Sequence, residues 1–134
     1  MTQPIYFELV SPEAKIISED VTMAVIPGTE GDFGVLAGHM PLVANVRAGV
    51  VEIYRDNMKQ ISDRIFIAGG VADVTGTQCT LLAEQAVNVN DLDKADLQRQ
   101  VDILIEDIKI HEDINERGRF QKRVEILKIM IEAA

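Results

Sequence analysis

Few residues in this sequence have the chemistry to act as catalysts or ligands, and their spacing keeps them apart. The two histidines, His39 and His111, lie in opposite halves of the 134 residues, and neither belongs to an H-E-x-x-H arrangement. The single cysteine, Cys79, cannot complete a thiolate zinc site or an internal disulfide. Gly28-Thr29-Glu30-Gly31-Asp32-Phe33-Gly34 has the glycine density of a phosphate loop. It lacks the Gly-Lys-Ser/Thr ending, however, and its two carboxylates would repel phosphate. It reads as a hairpin needing positive φ at several positions, displaying Glu30 and Asp32 to a partner. Asn90-Asp91-Leu92-Asp93 begins like a calcium loop but misses the glycine and the closing glutamate that such loops require. The residues therefore assign no catalytic, cofactor-binding or metal site, and an enzyme lacks a nucleophile, base and orienting group in one place.

What remains is chemistry of contact. Arg117, Arg119, Lys122, Arg123 and Lys128 cluster near the C-terminus against Glu116, Glu125 and Glu132, a solvated face that could also meet an acidic partner. Overall the chain carries 13 basic and 22 acidic residues, a net charge of −9. Such a balance disfavours nucleic acid and anionic lipid. No apolar run approaches the ~20 residues that span a bilayer, and no transit-type N-terminus is read, which favours a bacterial source and no direct membrane insertion. With one cysteine the chain is expected in a reducing compartment.

The elements that must position these groups change period near residue 88. Up to Val87, β-branched segments alternate with glycine and polar pairs at spacings too short for crossover helices. Ten strands are predicted: Ile5 to Val10, Ala14 to Ile17, Val21 to Pro27, Phe33 to Leu36, Leu42 to Val46, Gly49 to Tyr54, Lys59 to Ser62, Ile65 to Ala68, Val71 to Thr75 and Cys79 to Glu84. Asp56-Asn57 and Thr75-Gly76-Thr77 read as turns, and Gly69-Gly70 as a bulge or a close backbone approach. Beyond Val87 the apolar spacing becomes three and four. Leu97, Val101, Leu104 and Ile108 form one stripe; Phe120, Val124, Leu127 and Ile131 form another. Asn90 or Asp91 is expected to cap the first helix, and His111 to Gly118 to turn the chain back. The fold class is then α+β: an antiparallel ten-stranded β-sandwich over residues 1–87, followed by an antiparallel two-helix hairpin over 88–134.

One string is specific enough to carry a resemblance. Pro27-Gly28-Thr29-Glu30-Gly31-Asp32-Phe33-Gly34-Val35-Leu36-Ala37-Gly38-His39-Met40-Pro41-Leu42 resembles the epsilon subunits of bacterial and chloroplast F-type ATP synthases, whose mitochondrial counterpart is called delta. Gly49-Val50-Val51, Ala68-Gly69-Gly70-Val71-Ala72-Asp73-Val74, Ala83-Glu84-Gln85-Ala86 and Asp91-Leu92-Asp93 follow in the same order. The likeness runs from Tyr6 to Asp93; past that it rests on helical pattern.

The resemblance implies a ten-stranded sandwich with a C-terminal helical hairpin, and no active site of its own. It also implies a non-catalytic central-stalk subunit of a proton-translocating ATP synthase, peripheral at the cytoplasmic face of the bacterial inner membrane. The implied partners are the gamma subunit and the c-ring, with the catalytic beta and alpha subunits reached by the helices when these inhibit ATP hydrolysis. By position, Glu30, Gly31 and Asp32 face the c-ring, His39 lies toward gamma, and Arg119, Lys122 and Arg123 are candidates for inhibitory contacts. Some members bind ATP through Asp-x-x-Arg-Ala at the start of the first helix; here Asp93-Lys94-Ala95-Asp96-Leu97 places an acid where the arginine would meet phosphate. Calorimetric titration of the chain with ATP is expected to show weak binding or none, whereas an Asp96→Arg variant should gain affinity. The alternative is a free-standing β-sandwich adaptor that dimerises through its helices.

Overall fold

The computed structural model describes residues 3–110 and 113–134. Ten strands come first: β1 (Ile5–Val10), β2 (Lys15–Val21), β3 (Met23–Gly28), β4 (Gly31–Val35), β5 (Leu42–Val46), β6 (Gly49–Tyr54), β7 (Asp63–Ile67), β8 (Gly70–Val74), β9 (Gln78–Ala83) and β10 (Ala86–Asn88). A 3₁₀ turn at Val89–Asp91 leads to helices α1 (Lys94–Ile110) and α2 (Ile114–Ala133). The chain forms two compact units, Met1–Asn88 and Val89–Ala134.

Within the first unit the strands follow the order β10-β7-β6-β3-β5-β8-β9-β1-β2, with β4 paired to β3 off this path. One pair departs from the antiparallel expectation: β1 and β9 run parallel, Tyr6 opposite Gln78 through to Val10 opposite Leu82. No hairpin joins these two strands, so no short turn dictates their direction.

Alternation builds the core. Ile5, Phe7 and Leu9 point inward from β1, while Tyr6, Glu8 and Val10 point outward and are half-buried. Cys79, Leu81 and Ala83 do the same from β9. A fully buried Phe, Leu or Ile contributes roughly 1.5–3 kcal/mol over its exposed state, so Phe7, Leu9 and Leu81 anchor the sandwich.

Burial, helped by the nearby Asp73 carboxylate, pushes the Cys79 thiol up to about 12. The unfolded chain releases this proton near the ordinary value of 9.0. The folded state therefore holds more protons between these values, and stability falls there as pH rises, by up to about 1.4 kcal/mol per pH unit. The stabilisation is complete below the unfolded value and lost as pH climbs toward the folded one. Urea titrations at rising pH should show a steeper decline for the native chain than for Cys79→Ala. Equal slopes would place the thiol in contact with solvent.

The second strand, expected at Ala14 to Ile17, runs on to Val21, so the third starts at Met23 rather than Val21, and two further assignments change outright. Lys59–Ser62 is loop, because the Asn57 side chain accepts from the amides of Lys59 (2.8 Å) and Gln60 (2.9 Å) and curls the segment before it can extend. The tenth strand is instead Ala86–Asn88, only three residues long and paired with β7. After β6, Arg55 binds Glu19 of β2 and Asp63 of β7, both at 2.6 Å, bridging an edge strand to the β6–β7 region. Burial opposes its charge, yet the bonds to Asp63 and Glu19 outweigh that and hold the guanidinium pKa above its ordinary value.

In the second unit α1 and α2 pack against each other. The cap of α1 is Asp93, whose carboxylate accepts from the amides of Ala95 (3.0 Å) and Asp96 (3.3 Å), rather than Asn90 or Asp91, which belong to the preceding 3₁₀ turn. Asp113 caps α2 through the Asn115 amide at 2.8 Å. Helix α2 thus starts at Ile114 and includes Gly118, which had read as part of the turn. His111 lies outside the described residues. The stripes are buried at Leu97 and Val101 and at Val124 and Leu127, joined by Met130; Leu104, Ile108, Phe120 and Ile131 are half-buried.

Candidate functional site

Strands β3 and β4 close into a tight hairpin whose connecting residues are Thr29 and Glu30. Of the glycines here, only Gly31 adopts positive φ, at 128°. Gly28 serves a different need, since a Cβ there would lie 2.7 Å from the Gly31 carbonyl oxygen and 2.9 Å from the Phe33 ring. The hairpin is tied to β5 and the residue after it. Thr29 donates its amide to the Asn45 carbonyl at 3.1 Å, and Arg47 donates to the Pro27 carbonyl at 2.9 Å. Glu30, Gly31 and Asp32 are all exposed. A groove beside them is lined by Gly28, Glu30, Phe33, Leu42 and Val43. Asp32 forms an ion pair with Arg47.

His39 sits at the other end of β5, half-buried in the β4–β5 connection. Its amide donates to the Leu36 carbonyl at 3.1 Å, and its ring Nδ1 donates to the Met40 carbonyl at 2.8 Å. Gly38 donates to Gly76 in the β8–β9 turn at 2.8 Å, which fixes this loop to the neighbouring hairpin. The structure therefore does not bring His39 to the acidic turn; β5 separates them.

Between the two ends runs a feature that residue types alone did not single out. Register lines up Asn45 of β5, Val71 of β8, Leu82 of β9 and Val10 of β1 in one outward row, with Val43 of β5 beside it, opposite the exposed Asp73. Val43 is 72% exposed and Leu82 is 54% exposed. Alternation hints at such residues singly, but only the strand order gathers them into a strip.

On α2, Arg119, Lys122 and Arg123 are exposed. Arg119 pairs with Glu116 one turn earlier at 3.2 Å, a contact of the kind worth only a few tenths of a kcal/mol at a surface. Asp96, on the first turn of α1, accepts from Gln100 Nε2 at 2.8 Å and from Arg99 at 3.5 Å. Among the described residues no three His, Cys, Asp or Glu side chains converge as a metal site.

The family model described as ATP synthase, Delta/Epsilon chain, beta-sandwich domain, matches residues 4–89. The ATP synthase epsilon chain of Rhodospirillum centenum is 48% identical over 112 residues, covering 81% of this chain and 77% of that one. The epsilon chain of Brucella anthropi is 47% identical over 102 residues, covering 76% and 74%. A chain in the Euglena gracilis mitochondrial ATP synthase structure of OSCP, F1 and c-ring shares the fold, with a TM-score of 0.81, 24% identity, and coverage of 97% of this chain and 81% of that one. A family match over most of the chain, together with relatives near half identity, shows that this protein belongs to the delta/epsilon chain family of ATP synthase, a non-catalytic accessory subunit of that complex.

Proposed function

We propose that the chain is a central-stalk rotor subunit that couples the c-ring to gamma and the catalytic head of a proton-translocating ATP synthase. The observation that carries this reading is the placement of two unlike surfaces about β5. The acidic Glu30 turn lies at one end, the His39 loop at the other, and the apolar row of Val71, Leu82 and Val10, with Val43 beside it, between them. Apolar strips suit a permanent partner, whereas exposed charge suits a polar one. The strip and His39 are assigned to gamma, and Glu30, Gly31 and Asp32 to the polar loops of the c-ring.

The basic residues Arg119, Lys122 and Arg123 are assigned a braking contact with an acidic segment of a catalytic beta or alpha subunit. The weak local pairing of Arg119 supports this, because an exposed ion pair exchanges readily for another. No described helix is long and apolar enough to cross a membrane. Attachment through gamma and the c-ring at the cytoplasmic face of the bacterial inner membrane suits such a chain.

Affinity capture of the tagged chain from native membranes tests the assignment. Recovery of gamma and the c-ring together is expected, and Val43→Glu with Leu82→Glu should abolish it without unfolding the sandwich. Self-association of the chain with no gamma bound would favour the adaptor reading instead.

A further inference from the structure

Strand β2 ends the strand order and pairs with a single neighbour, β1. Of its seven residues only Val21 is buried, so little apolar area holds it down. Its side-chain bonds mostly follow that same pairing. Lys15 meets Glu8 at 2.7 Å, and the Ser18 hydroxyl meets that of Tyr6. Glu19 is the exception. Register sets it opposite the inward Phe7, so a carboxylate stands on the inner face of an edge strand.

Asp63 repeats the arrangement on β7, where it lies opposite the inward Ile53 of β6. One guanidinium serves both acids: Arg55 Nε donates to Glu19 and Nη1 to Asp63, each at 2.6 Å. The backbone that presents it is fixed. The Arg55 amide donates to Ser62 Oγ at 3.0 Å, and its carbonyl accepts from the Thr22 hydroxyl at 2.7 Å. Thr22 is the residue through which β2 passes into β3, and its amide donates to the Tyr54 carbonyl at 2.8 Å.

Without the guanidinium, two half-buried carboxylates on the inner face would be left unpaired beside each other. Such a pair favours any movement that brings water to one of its members. Strand β7 is flanked on both sides, by β6 and β10, and resists that movement. Strand β2 has a neighbour on one side only and yields first.

We propose that β2 is a strap latched across the end of the sandwich by Arg55, and that it opens as a unit, ahead of the other strands, when Arg55 loses its hold on Glu19. The latch is ionic and lies at the rim of the core. Opening therefore responds to salt and leaves the ladders of β6, β8 and β9 in place.

Hydrogen exchange of the full chain, resolved by segment, tests this. Arg55→Met keeps the apolar stem and removes the charge. It should speed exchange of the amides that bond β2 to β1 by about ten-fold or more, with those of β6, β8 and β9 changed by less than about two-fold. Arg55→Lys supplies a point charge that cannot fork to both carboxylates, and should fall between the two. Raising salt should speed β2 exchange severalfold in the native chain and leave Arg55→Met unmoved, a response that lost packing alone would not give. A rise spread evenly over all strands would make Arg55 an ordinary contributor to global stability and overturn the strap. Unchanged β2 exchange in Arg55→Met would overturn it as well. Should that variant fail to fold, the salt series on the native chain decides, and β2 amides that ignore salt or open only together with the other strands contradict the latch.

Discussion

Replacing Gly70 with alanine should strongly destabilise the sandwich, whereas the same change at Gly76 should be nearly silent. Gly70 opens β8 and pairs with Ala83 of β9 and Val46 of β5. A Cβ there would lie 2.0 Å from the Leu82 carbonyl oxygen and 2.9 Å from its carbon. Both atoms are backbone, so no rotamer change can relieve the overlap. Either the β8–β9 ladder parts or the inward residues Ala72, Val74, Leu81 and Ala83 shift. Overpacking of this kind costs about 1–3 kcal/mol, and each ladder bond lost adds about 1 kcal/mol, for a total of roughly 3–5 kcal/mol. That is a large share of the ~5–15 kcal/mol that holds a small domain folded. At Gly76 nothing lies within 4 Å of the added carbon. Urea midpoints of the two variants read the contrast directly, and equal midpoints would mean that β8 and β9 are not packed as described.

The second large effect concerns the division of labour between the units. A chain ending at Val89 should fold, bind gamma and support ATP synthesis, while ATP hydrolysis by the complex carrying it should rise severalfold. The fully buried members of the sandwich core cluster all lie between Ile5 and Ala83, so the first unit carries a core of its own. The last strand, Ala86–Asn88, is retained by this cut. If the helices brake hydrolysis through charge, Arg119, Lys122 and Arg123 changed together to alanine should reproduce part of the rise. The remaining inhibition should then respond less to salt, since the screened pairs are gone. Unchanged hydrolysis in both variants would remove the brake and leave the coupling role standing. Loss of gamma binding on truncation would contradict the division itself.

Alternation made three strands legible from sequence to the residue: β1, β5 and β6 begin and end where the pattern places them. Segments governed by a single side-chain hydrogen bond were not. Asn57 curls residues that otherwise read as a strand, and Asp93 takes a cap that Asn90 or Asp91 could equally have supplied. Three-residue β10 is too short to show a period and has no fully buried member. Gly118 read as a turn because glycine is rare inside helices, yet it is exposed in α2, where its penalty is only about 1 kcal/mol. Pairing between distant strands was beyond reach in the same way, and it explains the parallel β1–β9 contact, the outward row of Val71, Leu82 and Val10, and the link from Asp32 to Arg47. The acidic turn itself was visible as a motif. That Asp32 is paired depends on an arginine from another strand connection, and composition carries no trace of it.

The coupling role is tested most directly in membrane vesicles whose ATP synthase has been stripped of this subunit and then resupplied with the purified chain. Proton-driven ATP synthesis and ATP-driven proton pumping should both return with added chain until the complexes are saturated, while the chain by itself hydrolyses no ATP. Coupled activity that is the same with and without the chain would contradict the role proposed for it.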